Sequence, residues 1–266
     1  MKLSTSTALV TGAGNGMGRQ LVISLIKKGA KVVALDIDEA ALVETQRLSG
    51  GNSSNFKSLV TDITDATKVA MLPEQIAKEF ASIDLLINNA GVIQPFVRIN
   101  ELDKDVATRV MEINFFGPLN LIKAFLPSFL EKESAHVVNI SSMGAYTPVP
   151  GQSLYGASKA ALAALTAGLR SELASTKVVV TTVYPGAIAT NIAANSGIDL
   201  SNLKVPSKKI KMTSPQVAAA VILRGIERNK AQVFIGRDAK TMNFLARINP
   251  LFAANLIEKQ MKGLLK

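Results

Sequence analysis

The 266-residue chain contains no cysteine. That excludes a disulfide framework, a thiolate nucleophile and any cysteine-based metal site, and it is compatible with the cytosol. Long apolar runs are missing too: AALAALTAGL (160–169) falls well short of the roughly 18 residues of a spanning helix. The amino terminus, MKLSTSTALVTGAG, meets a glycine turn after a few apolar residues and leaves no room for a signal-peptide apolar region, so export is not expected. Acids are scarce near the end. Residues 204–266 hold 3 Asp plus Glu against 13 Lys plus Arg, whereas 1–203 hold 17 of each, so the whole net charge of +10 lies in the last quarter. A basic tail suits nucleic acid or an anionic membrane. No nucleic-acid motif or interleaved aromatic platform accompanies it, so nucleic acid is not expected as a partner.

What is present is enough to bury a core: 48% of residues are hydrophobic and 19% charged, within the size of one α/β domain. Short β-branched runs recur at 7–11, 31–36, 56–62, 83–88, 136–141, 177–185 and 231–236. Helical patterns lie between them at about 17–28, 39–49, 66–81, 100–130, 153–174 and 215–229. The runs are near-continuously apolar, as in strands covered on both faces, so the alternation predicts a doubly wound α/β domain with a parallel sheet. Residues 190–213 are polar, lack a period and follow a strand's carboxyl end, where such sheets bind ligands. They are expected to form a lid. Residues 1–240, lid included, are assigned to the main domain, and 241–266 to a helical extension.

TGAGNGMGR (11–19) places glycines at 12, 14, 16 and 18. The spacing G-x-G-x-x-G fails in both registers, because Met17 or Arg19 stands where the third glycine is needed. T-G-x-x-x-G-x-G fits, using Thr11, Gly12, Gly16 and Gly18, with Gly14 as an extra. A strand, this turn through Asn15 and a helix from Met17 place backbone N–H groups and a helix dipole under a pyrophosphate. Gly12 would make the turn, Gly16 admit the phosphates and Gly18 let the helix pack. Asp36 ends the next strand, 18 residues past Gly18 and just before Ile37. That is close to the spacing of about 20 at which an acid accepts from an adenosine ribose 2′-hydroxyl. Its charge opposes a 2′-phosphate, and no Lys or Arg stands at 13–15 or 37–38, so NAD is favoured over NADP. The alternative for Asp36 is a helix N-cap.

YGASK sets Tyr155 and Lys159 four apart on one helix face. A neighbouring ammonium favours a phenolate, so Lys159 is expected to lower the Tyr155 pKa and make it a proton carrier; a fall of three units corresponds to about 4 kcal/mol.

Taken with Asp62, NNAG (88–91), Asn114, NISS (139–142) and PGAIAT (185–190), these motifs stand in the order and spacing of a classical short-chain dehydrogenase/reductase. The chain resembles that family through about residue 240. The resemblance implies a Rossmann-like fold of about seven parallel strands in the order 3-2-1-4-5-6-7, with helices on both faces. It implies Tyr155 as general acid/base, Lys159 as the binder of the nicotinamide ribose, and Ser142, rather than Ser141, as the residue orienting the substrate oxygen. Asn114 resembles the residue holding a water in the proton relay; otherwise it caps a helix kink. Asp62 and Ile63 resemble adenine contacts, and Asn89, Ala90 and Gly91 the turn beside the adenosine ribose. Pro185, Gly186, Ile188 and Thr190 resemble the segment gripping the carboxamide. The implied reaction is reversible hydride transfer between an alcohol carbon and nicotinamide, with no metal. His136, the single histidine, lies outside every motif and reads as structural.

Val92, Ile93, Phe96, Met143, Val149 and Leu154 supply an apolar pocket with few charges, which suits an apolar or medium-sized secondary alcohol or ketone. The helices at 100–130 and 153–174 resemble those pairing subunits in the family, so a homodimer or homotetramer is expected. LFAANLIEKQMKGLLK (251–266) aligns Phe252, Leu256, Ile257, Met261, Leu264 and Leu265, with Lys259, Lys262 and Lys266 off that stripe. Such a helix docks on its own core or a partner subunit, or makes weak peripheral membrane contact through 250–266. A cytoplasmic protein, at most surface-associated with membrane, is expected. The rival readings are an NADP-dependent ketone or acyl-thioester reductase and a nucleotide-binding regulatory or scaffold protein.

Overall fold

The computed structural model describes residues 1–198 and 212–261. The apolar runs form strands β1 (Thr7–Thr11), β2 (Lys31–Asp36), β3 (Phe56–Val60), β4 (Leu85–Asn88), β5 (Ala135–Ile140), β6 (Val178–Pro185) and β7 (Gln232–Ile235). They make one sheet in the order β3-β2-β1-β4-β5-β6-β7, parallel at every pairing. The chain winds outward from β1 to β3, then returns to β4 on the other side of β1. The order therefore reverses between β1 and β4, and a crevice opens beyond their carboxyl ends.

Helices α1 (Gly16–Lys27), α2 (Glu39–Ser49) and α3 (Ala66–Glu79) follow the first three strands, and α4 (Lys104–Met111), α5 (Gly117–Leu130) and α6 (Ser153–Glu172) lie further along. A short α7 (Ile192–Asn195) and α8 (Pro215–Glu227) precede β7. Strand side chains alternate between faces, and both faces are covered. Val10, Val32 and Ile87 pack with Leu21 and Leu25 of α1 and Ile222 and Ile226 of α8. Leu9, Val33 and Leu86 pack on the other side with Ile76 of α3, Phe125 and Phe129 of α5, and Leu169 of α6.

The helix expected over 100–130 begins at Lys104, where Asp103 caps it, and widens into a π-helical turn at Glu112–Phe116 between α4 and α5. The continuous stretch Lys104–Leu130 has the length and mean hydropathy (1.2) of a membrane-crossing segment, by length and composition only. Its apolar side, with Leu121, Phe125 and Phe129, is spent on the sheet and α3.

Beyond β7, the extension starts earlier than the sequence suggests, as α9 (Arg237–Ile248) followed by α10 (Pro250–Met261). Met242, Ala253 and Ile257 are buried between them and against Met143, Tyr146 and Val149. This corrects the expected stripe. Ile257 faces inward with Leu256 and Met261, while Phe252, one position before the buried Ala253, is exposed. Contact with α9 sets the buried meridian, so α10 docks on its own chain. Lys262, Leu264, Leu265 and Lys266 lie outside the described residues, as do 199–211 of the expected lid.

Candidate active site

The crevice is a cavity of about 510 Å³ reaching from the glycine turn to Tyr155. Its first end is built by backbone. Gly12 adopts φ +62°, and a side chain on it would press on Ala90 Cα at 2.9 Å. A Cβ on Gly18 would collide with the Gly12 carbonyl oxygen, so α1 approaches the turn only because residue 18 is glycine. Asn15 gives α1 no side-chain cap, which leaves its first-turn N–H groups for an anion. Asn15, Gly16 and Met17 line the cavity; Gly18 lies buried beneath it. Gly14 is not spare: its N–H donates to Asp36 Oδ2 (2.8 Å), and a Cβ would stand 2.9 Å from that oxygen.

Asp36 is thereby fixed. Its Oδ1 also accepts from the N–H groups of Ile37 (2.8 Å) and Asp38 (3.2 Å), and both Asp36 and the exposed Ile37 line the cavity. The N-cap of α2 is instead Asp38, which accepts from Ala41 N–H. Three hydrogen bonds leave the Asp36 carboxylate about one acceptor site for a ribose hydroxyl. Arg19, a cation outside the positions weighed in the sequence, lies close by. It is spent on the Gly14 carbonyl oxygen, Thr45 Oγ1 (3.0 Å) and Asn15 Oδ1 (3.4 Å).

Asp62 and Ile63 line the same end, joined by Arg109 and Ile113, which the sequence reading did not single out. Asn89, Ala90 and Gly91 line the middle. The Asn89 amide, however, turns inward to the Thr11 and Gly12 carbonyls (2.9 and 3.3 Å), and Thr11 Oγ1 accepts from both Asn89 and Ala90 N–H groups (3.0 Å each). This side chain holds the turn's shape. Asn88 and Asn139, from the NNAG and NISS motifs, form a buried chain to Thr166 that ties β4 and β5 to α6.

Asn114 sits in the π-helical turn behind the cavity, fully buried. Its Oδ1 accepts from Val92 N–H, and its Nδ2 donates to Val92 O (2.9 Å each) and Ser158 Oγ (3.0 Å). A Cβ on Gly91 would stand 3.0 Å from Lys159 Nζ and 3.1 Å from Asn114 Oδ1, so that glycine admits both groups.

At the second end, Ser141 donates to the Lys159 carbonyl (2.8 Å) and locks α6 to β5, while Ser142 Oγ accepts from Gly144 N–H (3.0 Å) and lines the same cavity as Tyr155. Lys159 Nζ donates to Ile140 O (3.0 Å). Burial holds the Lys159 ammonium down at about 8. The Tyr155 shift runs opposite to expectation: burial raises it, and the nearby Ser142 hydroxyl offsets this in part. Pro185, Gly186, Ile188 and Thr190 close the cavity. They are held from outside, since Ala187 N–H donates to Asp238 Oδ2 (2.7 Å) and Ala189 N–H to Thr213 O (2.9 Å). Of the expected pocket residues, Val92 and Ile93 line the cavity, whereas Met143 and Val149 pack on α9 and α10.

Two further residues escaped the sequence. Asp238 holds the loop after β6, and the fully buried Gln94 accepts through Oε1 from the N–H groups of Leu154 (2.9 Å) and Tyr155 (3.0 Å). Asp238 had a weak signal, an acid just after the glycine that ends β7; Gln94 had none, because its partners lie about 60 residues away.

The chain is similar to known proteins. Residues 6–200 match the family model for short chain dehydrogenases. Over 248 residues the chain is 35% identical to SadH of Mycobacterium tuberculosis, named as an oxidoreductase, spanning 91% of this chain and 90% of that one. A short chain dehydrogenase from Burkholderia cenocepacia in complex with NADP has a TM-score of 0.81 at 28% identity, over 97% and 99% of the two chains. Another from Burkholderia phymatum in complex with NAD has a TM-score of 0.82 at 23% identity, over 94% and 98%, a likeness of fold. The chain belongs to the short-chain dehydrogenase/reductase family. It is an oxidoreductase that works with a nicotinamide dinucleotide.

Proposed function

We propose that the enzyme interconverts a secondary alcohol and a ketone on an apolar or medium-sized substrate, with NAD preferred over NADP. The observation that carries this reading is the meeting of Ser142, Tyr155 and Lys159 at one end of a cavity whose other end is the glycine turn and Asp36. The residues present suit the dinucleotide: uncapped N–H groups of α1 for the pyrophosphate, and a glycine at 18 that no side chain could replace. When bound, the nicotinamide supplies the hydride acceptor or donor and, in its oxidised form, a positive charge.

Tyr155 moves the hydroxyl proton of the substrate, and Ser142, which lines the same cavity, steadies the substrate oxygen. Lys159 has one acceptor in Ile140 O and keeps donors for the nicotinamide ribose hydroxyls. Asn114 holds Val92 and the Ser158 end of α6 in place, beside the proton path. Asp36 accepts from the adenosine ribose and disfavours a 2′-phosphate. Val92, Ile93, Ile188 and Ile192 give the cavity apolar surface. The molecule is read as a cytoplasmic homodimer or homotetramer paired through α4, α5 and α6.

The test is purified protein with NAD and a panel of secondary alcohols, followed at the absorbance of reduced nicotinamide. Turnover is expected with NAD, and Tyr155→Phe should lower it about 10²- to 10⁴-fold. A strong preference for NADPH would favour ketone or acyl-thioester reduction instead. Tight dinucleotide binding without turnover across the panel would favour a regulatory role.

A further inference from the structure

Beside the edge strand β7, a second cavity of about 330 Å³ is lined by Arg224, Arg228, Lys230 and Lys240, together with Gln232 and Phe234. Among the described residues no acid lines it, and none of these cations has a carboxylate partner. The acids of the neighbouring elements are turned elsewhere: Glu227 pairs with Lys28 (2.7 Å), and Asp238 accepts from Ala187 N–H (2.7 Å). On α10, the exposed Glu258 is offset by Lys259 next to it.

The cationic cavity runs into an apolar ridge. At roughly 100° per residue, Lys240, Phe244, Arg247 and Ile248 share an arc of about 100° on α9, opposite the buried Met242. Arg247 reaches Gln232 of the cavity (3.4 Å). Phe244 is 63% exposed and Ile248 68%, and the first turn of α10 adds Leu251 at 76% and Phe252 at 54%. Single exposed apolar side chains are ordinary; four bulky ones within nine residues, beside an acid-free cationic cavity, make an amphiphilic face.

We propose that this face docks on an anionic lipid bilayer, with the cations meeting headgroup phosphates and Phe244, Ile248, Leu251 and Phe252 entering the acyl boundary. The proposal goes beyond the catalytic reading and does not depend on it. Charge complementarity selects the partner. A second copy packed across a two-fold axis would set these cations against themselves, and a nucleic acid offers nothing to cover the aliphatic ridge. Docking here also reaches a segment next to the active site. The inner side of α9 and α10 packs on Met143 and Val149, and the Tyr146 hydroxyl donates to Ala239 O of α9 (2.7 Å), so the bilayer would adjoin the segment following Ser142.

The experiment sediments the full chain with phosphatidylcholine vesicles and with mixed phosphatidylcholine and phosphatidylglycerol vesicles. Binding is expected only to the mixed vesicles, and it should weaken as salt rises. The variant Arg224→Glu/Arg228→Glu/Lys240→Glu should lose at least about tenfold in partitioning. Phe244→Ser/Leu251→Ser should lose a similar factor, with the circular dichroism and melting of both variants matching wild type. The chain has no tryptophan, so Phe252→Trp supplies a probe that brominated acyl chains should quench. Absence of sedimentation with anionic vesicles would overturn the proposal. So would binding that neither variant changes, retention on heparin with no quenching, or a change in oligomer mass caused by Phe244→Ser/Leu251→Ser.

Discussion

Gln94 positions the proposed proton carrier from a distance. Helix α6 lacks a side-chain cap of its own at Gln152, and Gln94 caps it from the loop after β4 by accepting from Leu154 and Tyr155 N–H groups. Replacing it with Ala leaves two partly buried donors unpaired, at no more than about 1–3 kcal/mol each, and frees the first turn that carries Tyr155. Gln94→Ala should lower kcat by about tenfold to a hundredfold with a smaller change in KM. Gln94→Glu keeps the acceptor at a helix N-terminus but loses the Nε2 bond to Gly151 O (2.9 Å), so it should recover only part of that rate. A purely structural role would instead lower stability and leave the kcat of the folded fraction unchanged. His136 makes a second case. Thr181 gives its hydroxyl proton to Lys230 O, so it accepts from His136 Nε2–H at 2.7 Å, and the buried Nδ1 has no partner among the described residues. Burial, and next the amino-terminal charge, hold this imidazole at about 3. Unfolded chains take up the proton near pH 6.5, so stability is lost as pH falls from there toward 3. Urea unfolding at pH 7 and pH 4.5 should show wild type losing about 3 kcal/mol more than His136→Leu.

At the scale of elements, the sequence reading places β1 and β2 residue for residue and β3 to β7 within two residues at each end, because continuous apolar runs between turn residues have few other outcomes. The glycine turn was legible except at Gly14, whose bond to Asp36 joins two strands' ends and has no local signature. At the π-helical turn carrying Asn114, the sequence offers a helix kink only as an alternative, since one wider turn barely disturbs a helical period. The inward stripe of α10 differs from the expected one because its packing partner α9 begins at Arg237, before the extension expected from 241, and sets which side is buried. That earlier start brings in Asp238. At the start of α9 it holds Ala187, and a Cβ on Gly186 or Gly236 would collide with its carboxylate. Asp238→Ala should loosen the segment 185–190 and raise the KM for the dinucleotide about tenfold, with kcat changed less. Steady-state kinetics with cofactor varied at saturating substrate checks this; an unchanged cofactor KM would show that the loop holds without Asp238.

For the whole molecule, the two proposed contact surfaces lie on different layers. Helix α8, which lines the cationic cavity, packs on the sheet face that holds α1, whereas α5 and α6 cover the opposite face. A subunit contact through α4 to α6 and a lipid contact through α8, β7 and α9 therefore do not compete. The outer side of α6 favours close approach: Ala157, Ala164 and Gly168 are exposed at helical spacing, and nothing stands within 4 Å of where a Gly168 Cβ would be. The first turn of the same helix carries Tyr155 and its seventh residue is Lys159, so pairing along α6 would brace the site in each subunit. Light scattering of wild type at micromolar concentration should give a dimer or tetramer mass. Ala164→Arg, which sets a bulky charge on that stripe, should shift the mass toward monomer and lower kcat in parallel. A monomeric wild type with full turnover would show that α6 needs no partner to hold Tyr155. A dissociated but fully active Ala164→Arg would separate assembly from catalysis.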